Sequence, residues 1–265
     1  MSNQEPSSLR KVAKSLALRI QETLHLQPRT FCLVTGPPRS GTTAVGRWLS
    51  GHRQVVGLNE SRILVTAHHL VSQIYRFRSL HLQHGHLERL SREWAFASYG
   101  AYGLVFGNRA LVDKEPLEPI AFPDRDYRAF LTNVRTLFPS IRLLFIIRDP
   151  VPTLWSMTQR KWGESLRGVE LREFSMEEHI ENWCANVDLA LEYASDPGAY
   201  LCSYERLVTD PVAESRRIWD FLGLREGTPF APRPTKDVGF DLNELDRITE
   251  ATAGQVEALE RWKTR

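Results

Sequence analysis

A glycine-rich segment followed by two threonines is the first place in this sequence where residue types and spacing suggest chemistry. Gly36 and Gly41 lie five positions apart, which is the glycine spacing of a phosphate-binding loop, and Thr42 and Thr43 follow. Backbone amides at the start of a helix attract an anion, and the two hydroxyls add donors. An ATP-binding loop would carry lysine at the position of Thr42, so the segment predicts a phosphate-like ligand other than ATP.

An arginine at the end of the most apolar segment of the chain indicates a second anion site. Arg148 follows the apolar run 141–147, and Ser156 comes eight residues later, about two turns into the next predicted helix. Open α/β sheets bind ligands at the carboxyl ends of their strands. Arg148 and Ser156 are therefore predicted to bind a phosphate, and Arg160, one turn further on, adds charge. The alternative is an arginine paired with a neighbouring acid such as Asp149.

These residues require strands that end at one edge of a sheet and helices that begin there. Short apolar runs predict strands, and apolar residues spaced three and four apart predict helices. Strands are predicted at 31–34, from Val55, and at 111–113, 141–147 and 199–202; helices are predicted at 9–26, from Thr42, from Asp124, from a Ser175–Glu178 capping box, from Asp210 to Gly223, and at 241–262. This alternation predicts a single α/β domain over residues 1–265, a three-layer P-loop-type fold with a central, mainly parallel sheet. The region at about 66–108 is predicted to be a helical cap or insertion.

Composition and charge narrow the function classes. The 265 residues include 42% hydrophobic residues, and the net charge of +2 does not favour a nucleic-acid partner. No apolar run approaches the roughly 20 residues of a membrane span, so no stable membrane insertion is expected. Three cysteines in apolar segments predict free thiols in a reducing compartment, and hence a cytoplasmic protein. The basic stretch 9–26 is interpreted as a surface helix rather than a transit peptide, and the oligomeric state is left open, a homodimer included.

The segment 38–43 resembles the 5′-phosphosulfate loop of sulfotransferases that use 3′-phosphoadenylyl sulfate (PAPS). The segment around Arg148 and Ser156 is similar to the part of that family that binds the 3′-phosphate, and Tyr204 begins a third similar segment. The resemblance implies PAPS as cofactor, adenosine 3′,5′-bisphosphate (PAP) as product, and no required metal. The cofactor-binding residues that it implies are Pro38, Arg39, Ser40, Gly41, Thr42, Thr43, Arg148, Ser156, Arg160 and Tyr204. Tyr204 as a core residue is the alternative, and the loop 233–240 is a further candidate for covering the adenosine.

Sulfuryl transfer requires a base for the acceptor hydroxyl and cations where the leaving phosphate gains charge. Glu60 is the predicted base, and a closed site is expected to raise its pKa toward the working pH. Its segment resembles the glutamate-containing segment of tyrosylprotein sulfotransferases, which implies that Arg62 assists. Lys114 lies in a segment similar to the Lys-acid-Pro segment of the same branch, and it is the implied cation together with Arg39.

Other assignments of these catalytic candidates stay open. Glu60 is alternatively an exposed glutamate, and Lys114 a member of a surface ion pair. Many cytosolic sulfotransferases use histidine as the base, which makes His68 and His69 the alternatives to Glu60. The spacing of three further histidines suggests a metal site, but no cysteine or carboxylate completes a sensible ligand pattern; these histidines are His81, His84 and His86.

The acceptor is expected to be a small-molecule alcohol, phenol or carbohydrate. The chain lacks the secretory anchor and the disulfide pattern of the tyrosylprotein enzymes, so a protein tyrosine is less expected. Aromatic residues of the 66–108 region either line the acceptor pocket or pack against the core; they are Tyr75, Phe77, Trp94, Phe96, Tyr99 and Tyr102. The alternative functions are a P-loop small-molecule kinase, which would need the missing lysine, and a non-catalytic nucleotide-binding protein.

Overall fold

The computed structural model describes residues 28–76, 84–101, 109–160, 173–232 and 237–264. Within these ranges the chain forms five strands: β1 (Phe31–Thr35), β2 (Val55–Asn59), β3 (Ala110–Lys114), β4 (Arg142–Ile147) and β5 (Ala199–Ser203). The same ranges contain nine helices: α1 (Thr42–Ser50), α2 (Ile63–Arg76), α3 (His84–Ala101), α4 (Tyr127–Leu137), α5 (Pro150–Thr158), α6 (Met176–Glu192), α7 (Tyr204–Thr209), α8 (Pro211–Leu222) and α9 (Leu242–Lys263). The predicted alternation of strands and helices is therefore confirmed.

The five strands form one parallel sheet in the order β2-β3-β1-β4-β5. Every residue of β1 and of β3 is buried, as expected for strands that are covered on both faces. The chain crosses from β3 over β1 to β4, so the strand order reverses beside β1. In sheets of this kind the reversal opens a crevice at the carboxyl ends of the strands.

Two apolar clusters, one on each face of the sheet, give the fold its three layers. Successive strand residues point to opposite faces, so Leu33 belongs to one cluster and Val34 to the other. The larger cluster contains residues of α2 to α6 and of α9, and the smaller contains residues of α1, α7 and α8. The three-layer α/β architecture predicted from the sequence is confirmed.

The described parts of the 66–108 region are helical, and they pack into the core of the domain. Ala67 and Val71 of α2 and Tyr99 of α3 are buried in the larger cluster. Phe96 meets the Phe138 ring edge-on, with centroids 5.2 Å apart. The aromatic residues of α3 that belong to the core thus favour the packing alternative over the pocket-lining one. Phe77, Tyr102, His81 and the 9–26 helix lie outside the described residues, as do the side chains of Tyr75, His84 and His86.

Helix termini follow the predicted signals with one exception. Ser175 and Glu178 form a capping box, and Asp210 accepts a hydrogen bond from the Ala213 amide before a helix that Gly223 ends. The prediction of Asp124 as a helix cap is wrong, because Asp126 occupies that position, one residue before α4. No helix in the described ranges has the length and apolarity that crossing a bilayer demands.

Candidate active site

All five strands deliver residues to a single cavity of about 570 Å³ at the carboxyl edge of the sheet. The phosphate loop follows β1, Glu60 follows β2, Lys114 ends β3, Arg148 follows β4, and Tyr204 follows β5. This convergence is a property of parallel topology, in which the carboxyl ends of all strands lie at one edge. The fold therefore brings most of the predicted site residues to one cavity, although 166 positions separate Pro38 from Tyr204.

The phosphate loop is held in place by its glycines and by Ser40. The Ser40 hydroxyl lies 2.7 Å from the Pro37 carbonyl oxygen and 2.8 Å from that of Ile146, so the buried serine ties the loop to β4. Gly41 is the N-cap of α1 with φ 102°, and a Cβ atom there would lie 2.5 Å from the Tyr204 ring. Thr42 and Thr43 begin α1 and line the cavity. The helix thus presents its positive N-terminus to the cavity, as an anion site requires.

Arg39 links the two predicted phosphate subsites. Its Nε donates a hydrogen bond of 2.9 Å to the Ser156 hydroxyl, which lies on α5. Burial lowers the pKa of Arg39, and repulsion by Arg160 and Arg148 lowers it further. These three guanidinium groups of the cavity wall therefore repel one another, an arrangement that an anionic ligand would stabilise.

Arg148 and Tyr204 meet at the second predicted subsite. The Arg148 guanidinium carbon lies 5.2 Å from the centre of the Tyr204 ring, within the range of a cation–π contact. The indole nitrogen of Trp183 donates to the Arg148 carbonyl, 3.1 Å away, and so fixes the backbone there. Tyr204 lines the cavity, which favours the predicted contact position over the core alternative.

Glu60 and Lys114 form an ion pair inside the cavity. The ammonium group of Lys114 contacts a Glu60 carboxylate oxygen, and its side chain is only 1% exposed, so the surface-pair alternative for Lys114 is wrong. Burial raises the pKa of Glu60, but the Lys114 hydrogen bond and the charges of Lys114, Arg62 and Arg160 outweigh it, and the pKa lies below its usual value. The expectation of a raised pKa is therefore wrong, because it omitted these neighbouring cations.

Arg62 is directed toward buried acids. Its NH2 lies 2.6 Å from Glu118 and its NH1 lies 3.3 Å from Glu115, whereas the nearest Glu60 oxygen is 3.5 Å away. Among the described residues, those that line the cavity include neither Arg62 nor the loop-supporting Ser40. Of the predicted site residues, these two support the cavity wall from behind.

The two histidines considered as alternative bases lie away from the cavity. His68 is fully buried, with Nε2 at 2.8 Å from an Asp126 oxygen and Nδ1 at 3.0 Å from the Asn133 amide nitrogen. Burial lowers its pKa although Asp126 opposes the shift. His69 Nε2 lies 3.3 Å from the Ala121 carbonyl oxygen. In the part of the chain that the structure describes, neither histidine lines the cavity, whereas Glu60 does. The geometry therefore favours Glu60 over His68 and His69 as the candidate base.

Sequence reasoning missed the aromatic part of the cavity wall. Trp48 of α1 and the segment 228–231 line it, and the Trp48 indole nitrogen donates to the Thr228 carbonyl at 2.8 Å. The rings of Trp48 and Phe230 meet edge-on with centroids 5.9 Å apart. Helical spacing from Thr43 and Ala44 would have placed Trp48 near the loop, but no pattern in the sequence pointed to 228–231.

The residues present fit an anionic nucleotide with two phosphate-like groups. Cationic side chains and the start of α1 line the same cavity as Glu60, and aromatic side chains add an apolar wall that suits a nucleobase; the cations are Arg39, Arg47, Lys114, Arg148 and Arg160. Within the described ranges, no group of three or more His, Cys, Asp or Glu residues is placed to hold a metal ion.

Comparisons with known proteins agree with this geometry. The model of the Sulfotransferase family matches residues 32–227. Protein-tyrosine sulfotransferase A of Caenorhabditis elegans is 28% identical over 206 residues, which cover 73% of this chain and 50% of that protein. The Drosophila melanogaster protein-tyrosine sulfotransferase is 26% identical over 248 residues, covering 86% and 46%. The chain thus spans about half the length of the curated relatives it matches.

Solved structures show the same fold. A sulfotransferase from Alicyclobacillus acidocaldarius superposes with a TM-score of 0.55 at 20% identity, covering 91% of this chain and 97% of that one. The sulfotransferase domain of the Synechococcus PCC 7002 olefin synthase gives a TM-score of 0.53 at 18% identity, covering 90% and 96%.

Proposed function

This chain belongs to the sulfotransferase family, and from that premise we propose that it transfers a sulfuryl group from PAPS to an acceptor hydroxyl. The observation that carries the proposal is the Glu60–Lys114 ion pair inside the cavity that the phosphate loop lines. A P-loop kinase places its lysine in the loop itself. Here the lysine, Lys114, lies at the end of β3 and forms an ion pair with Glu60. A carboxylate that can act as a base and a cation thus lie together beside the phosphate loop.

Binding of the donor is assigned to both predicted subsites. The amides and hydroxyls of Thr42 and Thr43, with Arg39, would hold the 5′-phosphosulfate, and Arg148, Ser156 and Arg160 the 3′-phosphate. Trp48, Tyr204 and Phe230 offer faces to the adenine, and Pro38, Ser40 and Gly41 shape the loop.

When bound, PAPS supplies the sulfuryl group and leaves as PAP. Glu60 accepts the proton of the acceptor hydroxyl, and its lowered pKa keeps it in the basic form at neutral pH. Lys114 and Arg39 place positive charge beside the phosphate loop, where negative charge develops during transfer. Arg62 acts through Glu60, whose carboxylate lies 3.5 Å from it.

The proposed acceptor is a small-molecule alcohol, phenol or carbohydrate. The names of the curated relatives make a tyrosine side chain of a protein the second candidate. A cytoplasmic location belongs to the same proposal and is supported by the three free thiols, of which Cys32 and Cys202 are buried and Cys184 half-buried.

A transfer assay tests the proposed function. The protein is incubated with PAPS radiolabelled in the sulfuryl group and a panel of phenols, aliphatic alcohols, sugars and tyrosine peptides. We expect labelled product with at least one class, and we expect Glu60→Gln to abolish it while PAP affinity stays within about threefold. Unchanged turnover in Glu60→Gln would remove Glu60 as base. PAP binding without transfer to any class would favour the non-catalytic alternative.

A further inference from the structure

The turn that carries Glu60 has an unusual backbone. Glu60 has φ 56° and Arg62 has φ 60°, so two of three successive non-glycine residues occupy the left-handed region. A non-glycine residue in this region has a strained backbone and persists only where its surroundings fix it. The turn 60–62 therefore needs external contacts that hold it in place.

Those contacts come from the adjacent strand end, residue by residue. The Glu60 amide donates to the Lys114 carbonyl at 2.8 Å, and the Arg62 amide donates to a Glu115 carboxylate oxygen. Between them, the Ser61 hydroxyl donates to Oδ2 of Asp113. The parallel pairing of Asn59 with Lys114 sets this register. The last two residues of β3, Asp113 and Lys114, and the next residue, Glu115, thus hold the three residues of the turn.

Asp113 is the anchor of this arrangement. It is fully buried, and its Oδ2 also accepts a hydrogen bond of 2.8 Å from the Tyr99 hydroxyl of α3. The Ser61 oxygen in turn accepts from the Ile63 amide at 3.2 Å, at the first residue of α2. Ser61 therefore joins a fixed carboxylate in the core to the point where the turn becomes a helix.

We propose that Ser61 and Asp113 are positioning residues for the transfer reaction. Through the Ser61 hydroxyl, Asp113 holds the turn in its left-handed conformation and keeps the Glu60 carboxylate against the Lys114 ammonium inside the cavity. The inference rests on the proposed function, in which Glu60 is the base. Neither residue lines the cavity among the described parts of the chain, so both act through Glu60.

The charges around Glu60 give this role a measurable signature. Burial raises the pKa of Glu60, and Lys114, Arg62 and Arg160 together bring it below its usual value; the Arg39 guanidinium also faces the carboxylate. If the turn relaxes, Glu60 moves away from Lys114, the strongest of these contacts. Its pKa then rises, and the acid limb of a kcat/KM profile moves to higher pH.

The test compares three variants that share one acceptor. Ser61→Ala removes the hydrogen bond from the turn to Asp113, whereas Tyr99→Phe removes the other hydrogen bond to the same oxygen and leaves the turn untouched. Ser61→Thr keeps the hydroxyl. We expect Ser61→Ala to lower kcat on the order of 100-fold, since small displacements of catalytic groups cost about that much. The KM for PAPS should stay within about threefold, and the acid limb should move upward.

The control variants and a second readout make the result decisive. Tyr99→Phe and Ser61→Thr should keep kcat within about threefold and leave the acid limb in place. Carbon-13 NMR titration of labelled glutamate, assigned with Glu60→Gln, should show the Glu60 pKa rising in Ser61→Ala only. If Ser61→Ala fails to fold, Ser61→Cys, with its weaker donor, should show the same changes at smaller size.

Two outcomes would overturn the inference. One is a Ser61→Ala protein with the kcat and the Glu60 pKa of the wild type. The other is an equal loss of kcat in Ser61→Ala and Tyr99→Phe, which would indicate a general loss of stability. Absence of transfer by the wild-type protein would instead count against the proposed function, and the NMR titration would still decide whether Ser61 positions Glu60.

Discussion

Replacing Lys114 with methionine removes the charge of the most deeply buried cation of the cavity while keeping much of its volume. Two unit charges about 4 Å apart interact by roughly 4 kcal/mol at the effective dielectric constant of a protein surface. In the proposed reaction the Lys114 charge acts on the negative charge that develops on the leaving phosphate, and two arginines that remain in the cavity wall, Arg39 and Arg160, would retain part of that energy. We expect a loss of about 3 kcal/mol of transition-state stabilisation, on the order of 100-fold in kcat.

The pH dependence of the same variant provides an independent check. Lys114 and its neighbours hold the pKa of Glu60 below its usual value, against the effect of burial. Without Lys114 that pKa rises, so the basic form of Glu60 is lost at a higher pH and the acid limb of kcat/KM moves upward. The assay is radiolabelled sulfuryl transfer over a pH series, with PAP affinity measured by calorimetry.

A matched variant separates this effect from a simple loss of positive charge. Arg89 lies on α3 and is 60% exposed in an ion pair with Glu93. Arg89→Met removes the same charge and should leave kcat and the pH profile as in the wild type. If Lys114→Met retains kcat within about threefold, or if its acid limb stays in place, the reasoning about the Glu60–Lys114 pair is refuted.

Three further predictions address the loop, the second subsite and the core. Gly41→Ala should weaken PAP binding about 10- to 100-fold by calorimetry, because Gly41 has φ 102° and an added Cβ would lie 2.5 Å from the Tyr204 ring. The control is Gly254→Ala, whose added Cβ has no atom within 4 Å; it should leave the affinity for PAP unchanged and slightly raise Tm. Arg148→Ala should weaken PAP about 10- to 100-fold but hardly alter the affinity for AMP, which lacks the 3′-phosphate; equal losses would contradict the assignment. Burial lowers the pKa of His68 in the folded state, so as the pH falls below about 7 this histidine is protonated in the unfolded state before it is protonated in the folded state. The free energy of unfolding should therefore decrease with falling pH, and the denaturant midpoint should decrease less over the same pH range in His68→Gln than in the wild type.

The sequence predicted those parts of the site that depend on topology. Gly41, Lys114 and Arg148 follow apolar runs that form strands, and parallel strands necessarily end at one edge. To predict these residues it was enough to recognise the strand that each one follows, because the end of a parallel strand places the residue at the carboxyl edge of the sheet.

The parts that could not be predicted depend on contacts between distant segments. The pKa of Glu60 is lowered because Lys114, 54 positions away in the sequence, donates a hydrogen bond to it. Arg62 points toward Glu118, 56 positions away, because the two side chains form a hydrogen-bonded ion pair. The cavity wall at 228–231 is fixed by the hydrogen bond from Trp48 to Thr228, across 180 positions. Hydrophobic periodicity does not indicate which distant side chains come into contact. The sequence therefore identified the site residues but not the residues that they contact.

Binding of PAP measured by calorimetry, in parallel with ATP and Mg²⁺, decides whether the cavity is a site for PAPS or for ATP. PAP carries the 3′-phosphate that the Arg148 subsite is assigned to hold, and the loop has Thr42 where an ATP-binding loop has lysine. We expect that PAP binds in metal-free buffer and that ATP with Mg²⁺ binds at least about 100-fold more weakly. Tight binding of ATP with Mg²⁺ together with no measurable binding of PAP would rule out a PAPS site and favour a kinase.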